Sequence, residues 1–153
     1  MTLESILSPE LVFCNLNGGS KKRLLEKSAE LIASKVSNVT ANQIYEALIA
    51  REQLGSTGLG EGIAIPHCRI PRCQSTIGCL IKLKTPVDFD AIDRKPVDLL
   101  FFLLVPENTI EGHLDTLRML AESFTSPEFC LRLRNAQTDE ELFQAAIAGT
   151  VHP

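Results

Sequence analysis

The sequence predicts an α/β fold in which helices cover both faces of a central sheet. Residues 99–105 are apolar at every position, which is typical of a strand that is buried on both faces. Amphipathic helical patterns occur before and after this run, so helices are available for each face of the sheet. A chain of 153 residues is of the right size for one compact domain, whose core we place at about residues 3–149.

Two helices are predicted in the first third of the chain. The first covers about residues 20–36, with Ser20 as its N-cap and leucine and isoleucine side chains along one face. The second begins at Thr40, where Gln43 stands three residues later in a capping-box pattern, and it ends at Gly55. Arg51 therefore falls in the last turn of the second helix.

Strands are predicted at residues 11–16, 63–65, 76–83 and 97–105, separated by turns that glycine or proline marks. An amphipathic helix follows Pro106, with apolar positions between residues 114 and 124, and a shorter helix begins near Pro127. A last helix begins at Thr138, with Glu141 in capping-box register, and ends by Gly149. We expect residues 151–153 to be frayed.

Composition excludes several classes of function. A hydrophobic content of 44% with 22% charged residues is ordinary for a soluble globular protein. The net charge of −4 and the aromatic content of 5% disfavour a nucleic-acid partner. Residues 99–105 form the longest apolar stretch, far short of the roughly 20 residues that span a bilayer, and no signal-peptide pattern opens the chain. We expect a cytoplasmic protein without membrane insertion.

The segment 51–67, REQLGSTGLGEGIAIPH, combines an arginine, a glycine-rich loop and one histidine. Glycines allow positive φ and close approach of backbone N–H groups to an anion, and the two hydroxyl side chains add donors. Pro66 is expected to end the strand at residues 63–65, so that His67 lies at a strand end. The sequence thus predicts a phosphate-binding loop made of Gly55, Ser56, Thr57, Gly58 and Gly60, with Gly62 beside it.

His67 is the candidate nucleophile. An unperturbed imidazole has a pKa of about 6.5 and is mostly neutral near pH 7.4, so a ring nitrogen can attack a phosphoryl group and form a phosphohistidine. Arg51 can hold the resulting anion with its guanidinium, and no metal or other cofactor is needed. The alternatives are a core histidine at position 67 and an Arg51 that only complements the helix dipole. Glu61 would repel the phosphate, so we expect its side chain to point away.

Other phosphate and nucleophile motifs are absent from the sequence. A Walker loop requires a glycine directly followed by lysine, and the sequence contains no such pair. The glycines at 58, 60 and 62 do not have the spacing of the dinucleotide-binding fingerprint. The chain also lacks the G-x-S-x-G motif of α/β-hydrolases. Binding of ATP or NAD is therefore unsupported.

The cysteines offer a zinc site as an alternative. Five cysteines are an odd set without the framework of a secreted disulfide protein, so reduced thiols are expected. His67, Cys68, Cys73 and Cys79 are close in sequence and include nitrogen and sulfur ligands. Their spacing is irregular, however, and Cys79 alternates with apolar residues on a predicted strand face, so packing is the favoured explanation for it.

His113 is a second candidate for the site. It lies in the first turn of the helix that follows the strand at 97–105, and open α/β sheets gather their sites at the carboxyl ends of strands. A helix N-terminus also attracts anions, so His113 could donate to a phosphoryl oxygen on His67. His152 lies in the terminal tail and is assigned no role.

The segment 51–67 resembles the active-site motif of phosphotransferase-system enzyme IIA proteins of the mannitol, fructose and nitrogen superfamily, and the nitrogen type is the most similar. The resemblance continues through residues 86–93, 96–101, 103–106, 113–114 and 131–132. It implies the mixed, mostly parallel sheet of that fold, with helices on both faces. It also implies that His67 is phosphorylated, that Arg51 shares its pocket and that His113 supports the phosphoryl group. Cys68 departs from the pattern, because many relatives carry a small residue there.

Three functions remain open at this stage. The resemblance implies a phosphocarrier that accepts its phosphoryl group from an HPr-type protein and regulates target proteins of unknown identity; a sugar-specific IIA that passes phosphate to a separate IIB is the related alternative. The second function is a protein-binding module independent of phosphorylation, and the third is a zinc enzyme. For the donor, we expect an apolar rim around the site at Leu54, Leu59 and Ile70.

Overall fold

A computed structural model describes residues 2–108 and 111–148, with the side chains of residues 111–113 left out. Along this part of the chain, one short helix and one strand are followed by two helices, then by five consecutive strands, and finally by three helices. The helices are α1 (Leu3–Ile6), α2 (Lys21–Ala33), α3 (Ala41–Gln53), α4 (Glu111–Phe124), α5 (Pro127–Asn135) and α6 (Asp139–Ala148), and the strands are β1 (Leu7–Leu16), β2 (Gly58–Gly60), β3 (Ile63–Ala64), β4 (His67–Ile70), β5 (Ile77–Val87) and β6 (Val97–Pro106). None of the described helices is long and apolar enough to span a membrane.

The strands form one mixed sheet with β6 near its centre. The strand order is β1-β5-β6-β3-β2, and β4 also pairs with β6. Three pairings are parallel, namely β1 with β5 and both β3 and β4 with β6, while β5 with β6 and β2 with β3 are antiparallel. Strands β3 and β4 follow one another along the same side of β6, first opposite Leu99 and Leu100 and then opposite Leu103 to Pro106. The predicted mixed, mostly parallel α/β sheet is confirmed.

Side chains of β6 alternate between two apolar clusters on opposite faces of the sheet. Leu100, Phe102 and Leu104 pack with residues of α2 and α3. Leu99 and Phe101 pack on the other face, with residues of α4, α5 and α6. Every residue from Leu99 to Val105 is fully buried, as the continuous apolar run predicts, because a strand between two helical layers has no solvent face.

The predicted helix starts are confirmed at their caps. Ser20 accepts the backbone N–H of Arg23 at 3.2 Å, and Thr40 forms the complete capping box with Gln43. Thr138 accepts the N–H of Glu141 at 3.1 Å. Side-chain caps depend on residues only three positions apart, so the sequence displays them directly.

The structure corrects the predicted strands in three places. Helix α1 and residues 7–10 of β1 were not predicted; β1 is an edge strand, which tolerates Pro9. Strand β5 continues to Val87, beyond the predicted residue 83. The short strands β2 and β4 were missed. Strand β3 ends at Ala64, before Pro66, and His67 is the first residue of β4. Strands of three or four residues exist through their pairing partners and leave little periodicity to detect.

Candidate functional site

His67 and Arg51 lie together because α3 packs against β4. His67 is the first residue of β4, opposite Leu103 of β6, and Arg51 lies in the last turn of α3. The guanidinium Nε of Arg51 donates to Nε2 of His67 at 3.2 Å, and its Nη1 donates to the carbonyl of Gly55 at 2.9 Å. The two residues that the sequence singled out are therefore in direct contact.

The second nitrogen of the His67 ring is held by the main chain. Nδ1 lies 2.8 Å from the carbonyl oxygen of Ile65. A carbonyl can only accept a hydrogen bond, so Nδ1 carries the proton. Nε2 then has the lone pair, in agreement with the N–H that Arg51 directs at it. The structure thus selects one neutral tautomer of the imidazole.

The electrostatic surroundings of His67 also favour the neutral ring. Burial lowers the pKa of His67 below its ordinary value and is the largest effect. The hydrogen bond to Ile65 raises the pKa, the positive charge of Arg51 lowers it, and the carboxylate of Glu52 raises it, in that order of size. The net direction is downward, so the uncharged, nucleophilic form predominates at neutral pH.

His67 opens onto solvent through a shallow depression of about 420 Å³ lined by Ala47, Ala50, Arg51, Leu54, His67, Cys68 and Arg69. Leu54 is 84% exposed at its edge, in the place expected for an apolar rim. Leu59 is also exposed but lines a different cavity, beside α4 and α5. The expectation for Ile70 is wrong, since Ile70 is fully buried: side chains alternate along β4, and Ile70 packs into the core.

The predicted phosphate-binding loop has internal partners for its donors. The hydroxyl of Ser56 donates to the carbonyl of Phe89 at 2.8 Å and accepts the N–H of Gly58 at 3.0 Å. The N–H and hydroxyl of Thr57 both donate to the carboxylate of Glu52. A phosphate could use these donors only by displacing those bonds, so in this conformation they stabilise the loop.

Gly60, the last residue of β2, and Gly62 flank Glu61 in the connection between β2 and β3. Gly60 and Gly62 have φ of +95° and +82°, and Glu61 between them has φ of +57°. Another residue at position 62 would be strained by this φ, and its Cβ, 2.7 Å from Nη2 of Arg134, would displace that guanidinium. The carboxylate of Glu61 is exposed and pairs with Lys95 at 3.4 Å.

Glu52 is a residue of the site that sequence reasoning missed. Its side chain is only 5% exposed, and its carboxylate pairs with Nζ of Lys21 at 2.9 Å. The available signal was its position, because Glu52 continues the buried face of Ile44 and Leu48 at intervals of four residues. A carboxylate in a helix position that should be apolar indicates a specific partner.

His113 belongs to α4, but its side chain lies outside the described part of the structure. The expected approach of His113 to His67 therefore stays a prediction. The same holds for Gly149 and for residues 151–153, which also lie outside the described residues.

Comparison with known proteins identifies the family. Residues 5–147 match the family model described as "Phosphoenolpyruvate-dependent sugar phosphotransferase system, EIIA 2". The chain belongs to this enzyme IIA family. The enzyme IIA chain is 52% identical to the nitrogen regulatory protein of Pseudomonas aeruginosa over 145 residues, covering 95% of this chain and 94% of the relative. It is 44% identical to the protein of the same name from Escherichia coli, covering 94% and 88%.

Solved structures agree with this assignment. The crystal structure of nitrogen regulatory protein IIA-Ntr from Neisseria meningitidis matches the enzyme IIA chain with a TM-score of 0.87 and 40% identity, over 93% of this chain and 97% of the other. The IIA mannitol structure from Escherichia coli matches with a TM-score of 0.74 and 19% identity, over 91% and 97%. At that identity the mannitol protein shows the common fold alone.

The cysteines of the enzyme IIA chain lie mostly in its interior. Cys68, Cys73, Cys79 and Cys130 are buried and Cys14 is partly exposed, all as free thiols. Burial raises the pKa of Cys68 to about 12 and also raises that of Cys79, which opposes the thiolate form that zinc requires. Among the described residues, no group of three or more histidine, cysteine or acidic side chains is arranged to hold a metal.

Proposed function

We propose that His67 accepts a phosphoryl group at Nε2 from a phosphorylated HPr-type protein, and that its phosphorylation state regulates the binding of other proteins. One observation carries the proposal: the carbonyl of Ile65 holds the proton on Nδ1. Nε2 then carries the lone pair, which accepts a hydrogen bond from the guanidinium of Arg51, and both residues line a depression that opens onto solvent.

The chemical step is a transfer between two imidazoles. The lone pair of Nε2 forms a bond to phosphorus, the bond between phosphorus and the donor's ring nitrogen breaks, and that electron pair stays on the donor ring. The ring of His67 keeps its proton on Nδ1 and gains positive charge, while the oxygens of the phosphoryl group carry the negative charge. No metal or other cofactor takes part.

Arg51 is the residue best placed to hold the transferred group. Its Nε contacts Nε2 directly in the unphosphorylated protein, so a small rotation brings the guanidinium onto phosphoryl oxygens, where a charged acceptor strengthens each hydrogen bond. We assign His113 the role of a further donor. Gly55, Ser56, Thr57, Gly58 and Gly60 contribute by fixing the loop and by holding Arg51 through the Gly55 carbonyl.

The names of the similar proteins favour regulation over sugar transport. The relatives from Pseudomonas aeruginosa and Escherichia coli, at 52% and 44% identity, are nitrogen regulatory proteins that this chain covers almost completely. The relative named as a fructose-specific EIIABC component is 26% identical, and the chain covers 22% of it. A phosphate on His67 places new negative charge beside the exposed Leu54, which changes the surface that a partner contacts.

The test is incubation with enzyme I, an HPr-type carrier and labelled phosphoenolpyruvate. We expect acid-labile label on the wild type, none on His67→Ala, and slower labelling of His113→Ala, because His113 assists but is not the attachment point. Full label on His67→Ala would reject the assignment. If a regulatory partner binds wild type and His67→Ala equally in both phosphorylation conditions, the chain is a binding module that does not use phosphate.

A further inference from the structure

Glu52 lies at a buried position of α3 whose neighbours on the same helix face are apolar. It shares one face of α3 with Ile44 and Leu48, both of which are fully buried. A carboxylate in such a place is unfavourable unless partners replace the water that it loses. The partners of Glu52 therefore indicate what the carboxylate does.

Three donors converge on this carboxylate. The N–H of Thr57 lies 3.2 Å from Oε1, the hydroxyl of Thr57 donates to the same oxygen, and Nζ of Lys21 lies 2.9 Å from Oε2. Lys21 is itself held over the ring of Phe89, 4.7 Å from the ring centroid. The carboxylate thus joins the end of α3, the start of α2 and the residue before β2.

Hydrogen bonds joined by the main chain of Thr57 and Ile65 connect Glu52 to the imidazole. The carbonyl of Thr57, whose N–H the carboxylate holds, accepts the N–H of Ile65 at 3.1 Å. The carbonyl of Ile65 accepts Nδ1–H of His67 at 2.8 Å. Arg51, the neighbour of Glu52 in sequence, contacts the opposite nitrogen of the same ring.

We infer that Glu52 is a positioning residue for His67: through Thr57 and Ile65 it fixes the ring in the tautomer with Nδ1 protonated and directs Nε2 toward Arg51. The inference rests on the proposed role of His67 as phosphoryl acceptor. It extends that role to a buried carboxylate that is linked to the ring through Thr57 and Ile65.

The charge of Glu52 adds to its geometric role. The imidazole gains positive charge when Nε2 forms its bond to phosphorus, and a nearby negative charge stabilises that state. Among the described side chains, the charge of Arg51 lowers the pKa of His67 and the charge of Glu52 raises it. Loss of the carboxylate should therefore lower the pKa of His67 and also slow the transfer.

The decisive variant is Glu52→Gln, which keeps the size of the side chain and removes its charge. The matched control is Glu46→Gln, an exposed glutamate on the same helix. The tautomer and pKa of His67 are measured by ¹⁵N NMR of the unphosphorylated protein across pH. Phosphoryl transfer from the carrier is measured as a function of donor concentration, which separates docking from the chemical step.

We expect Glu52→Gln to lose the single Nδ1–H tautomer, to lower the pKa of His67, and to reduce the transfer rate at saturating donor about tenfold. The donor concentration for half-maximal rate should change less than about twofold, because Glu52 lies below the docking surface. Glu46→Gln should match wild type in every measurement. An unchanged tautomer, or an unchanged rate at saturation, overturns the inference.

Two provisions keep the result interpretable. If Glu52→Gln does not fold, the same measurements on Thr57→Val decide the question: a mixed tautomer with a slower rate supports the inference, and wild-type behaviour overturns it. The NMR measurement requires no phosphoryl transfer. It therefore tests positioning separately from the proposed function, which the labelling of His67→Ala tests.

Discussion

Arg134 and Asp98 form a two-pronged ion pair that ties α5 to the start of β6. Nη2 of Arg134 lies 2.8 Å from Oδ1 of Asp98, and its Nε lies 3.0 Å from Oδ2. The same Nη2 donates to the carbonyl of Glu61 at 2.9 Å. The pair thus also holds the turn between β2 and β3, and with it the segment that leads to His67.

Arg134→Met should therefore destabilise the fold. The side chains of Arg134 and Asp98 are 33% and 24% exposed, so the pair is less screened than a surface pair, and we expect a loss of about 1–2 kcal/mol in the free energy of unfolding. Chemical denaturation measures it. Arg118→Met is the control, because Arg118 and Asp115 are 3.8 Å apart and both 71% exposed. Equal losses in the two variants would contradict the structural role of Arg134.

The pH dependence of stability should report the environment of His67. Its pKa is lowered in the folded protein, so the unfolded chain binds more protons between the folded pKa and the ordinary value of about 6.5. The stabilising contribution is complete above pH 6.5 and is lost as the pH falls through the folded pKa. Wild type should lose more stability than His67→Gln over that range. Parallel curves for the two proteins would show that the pKa is not lowered.

Arg51→Lys should slow phosphoryl transfer although the charge is kept. Lysine lacks the planar fork that contacts His67 and Gly55 together, and we expect the rate to fall about tenfold, equivalent to about 1.4 kcal/mol. Single-turnover transfer from the HPr-type carrier measures this rate. Arg132→Lys, on the exposed side of α5, serves as the control and should transfer at the wild-type rate. A fully active Arg51→Lys would leave Arg51 with the helix dipole as its only role.

Leu54→Glu should weaken donor docking. Leu54 is 84% exposed at the edge of the depression that contains His67, and truncating or charging an apolar interface anchor costs about 1–2 kcal/mol of binding. The donor concentration for half-maximal transfer should rise about tenfold, while the rate at saturation stays the same. Ile92→Glu is the matched control, since Ile92 is 92% exposed and lies outside this depression. If both variants bind the donor equally well, the docking surface lies elsewhere.

Local patterns were enough to predict much of the fold. Ser20, Thr40 and Thr138 cap their helices through residues three positions away, and the burial of residues 99–105 follows from the absence of any polar position. The strands β2 and β4 were not predictable in this way, because their existence depends on partners in β3 and β6. Ile70 was predicted at the surface because β4, the strand that turns its side chain into the core, was not predicted.

For the site, the sequence by itself determined the chemistry that is present: one imidazole, one arginine and a glycine-rich segment, in a pattern that indicates the family. Only the tertiary structure decided which ring nitrogen carries the proton, because that depends on where the carbonyl of Ile65 lies relative to Nδ1. It also decided that a carboxylate lies beneath the site, since the charge of Glu52 is acceptable only where Lys21, thirty-one residues away, reaches it. Hydrogen bonds and ion pairs of this kind form between groups that packing brings together, so their geometry is a property of the folded chain.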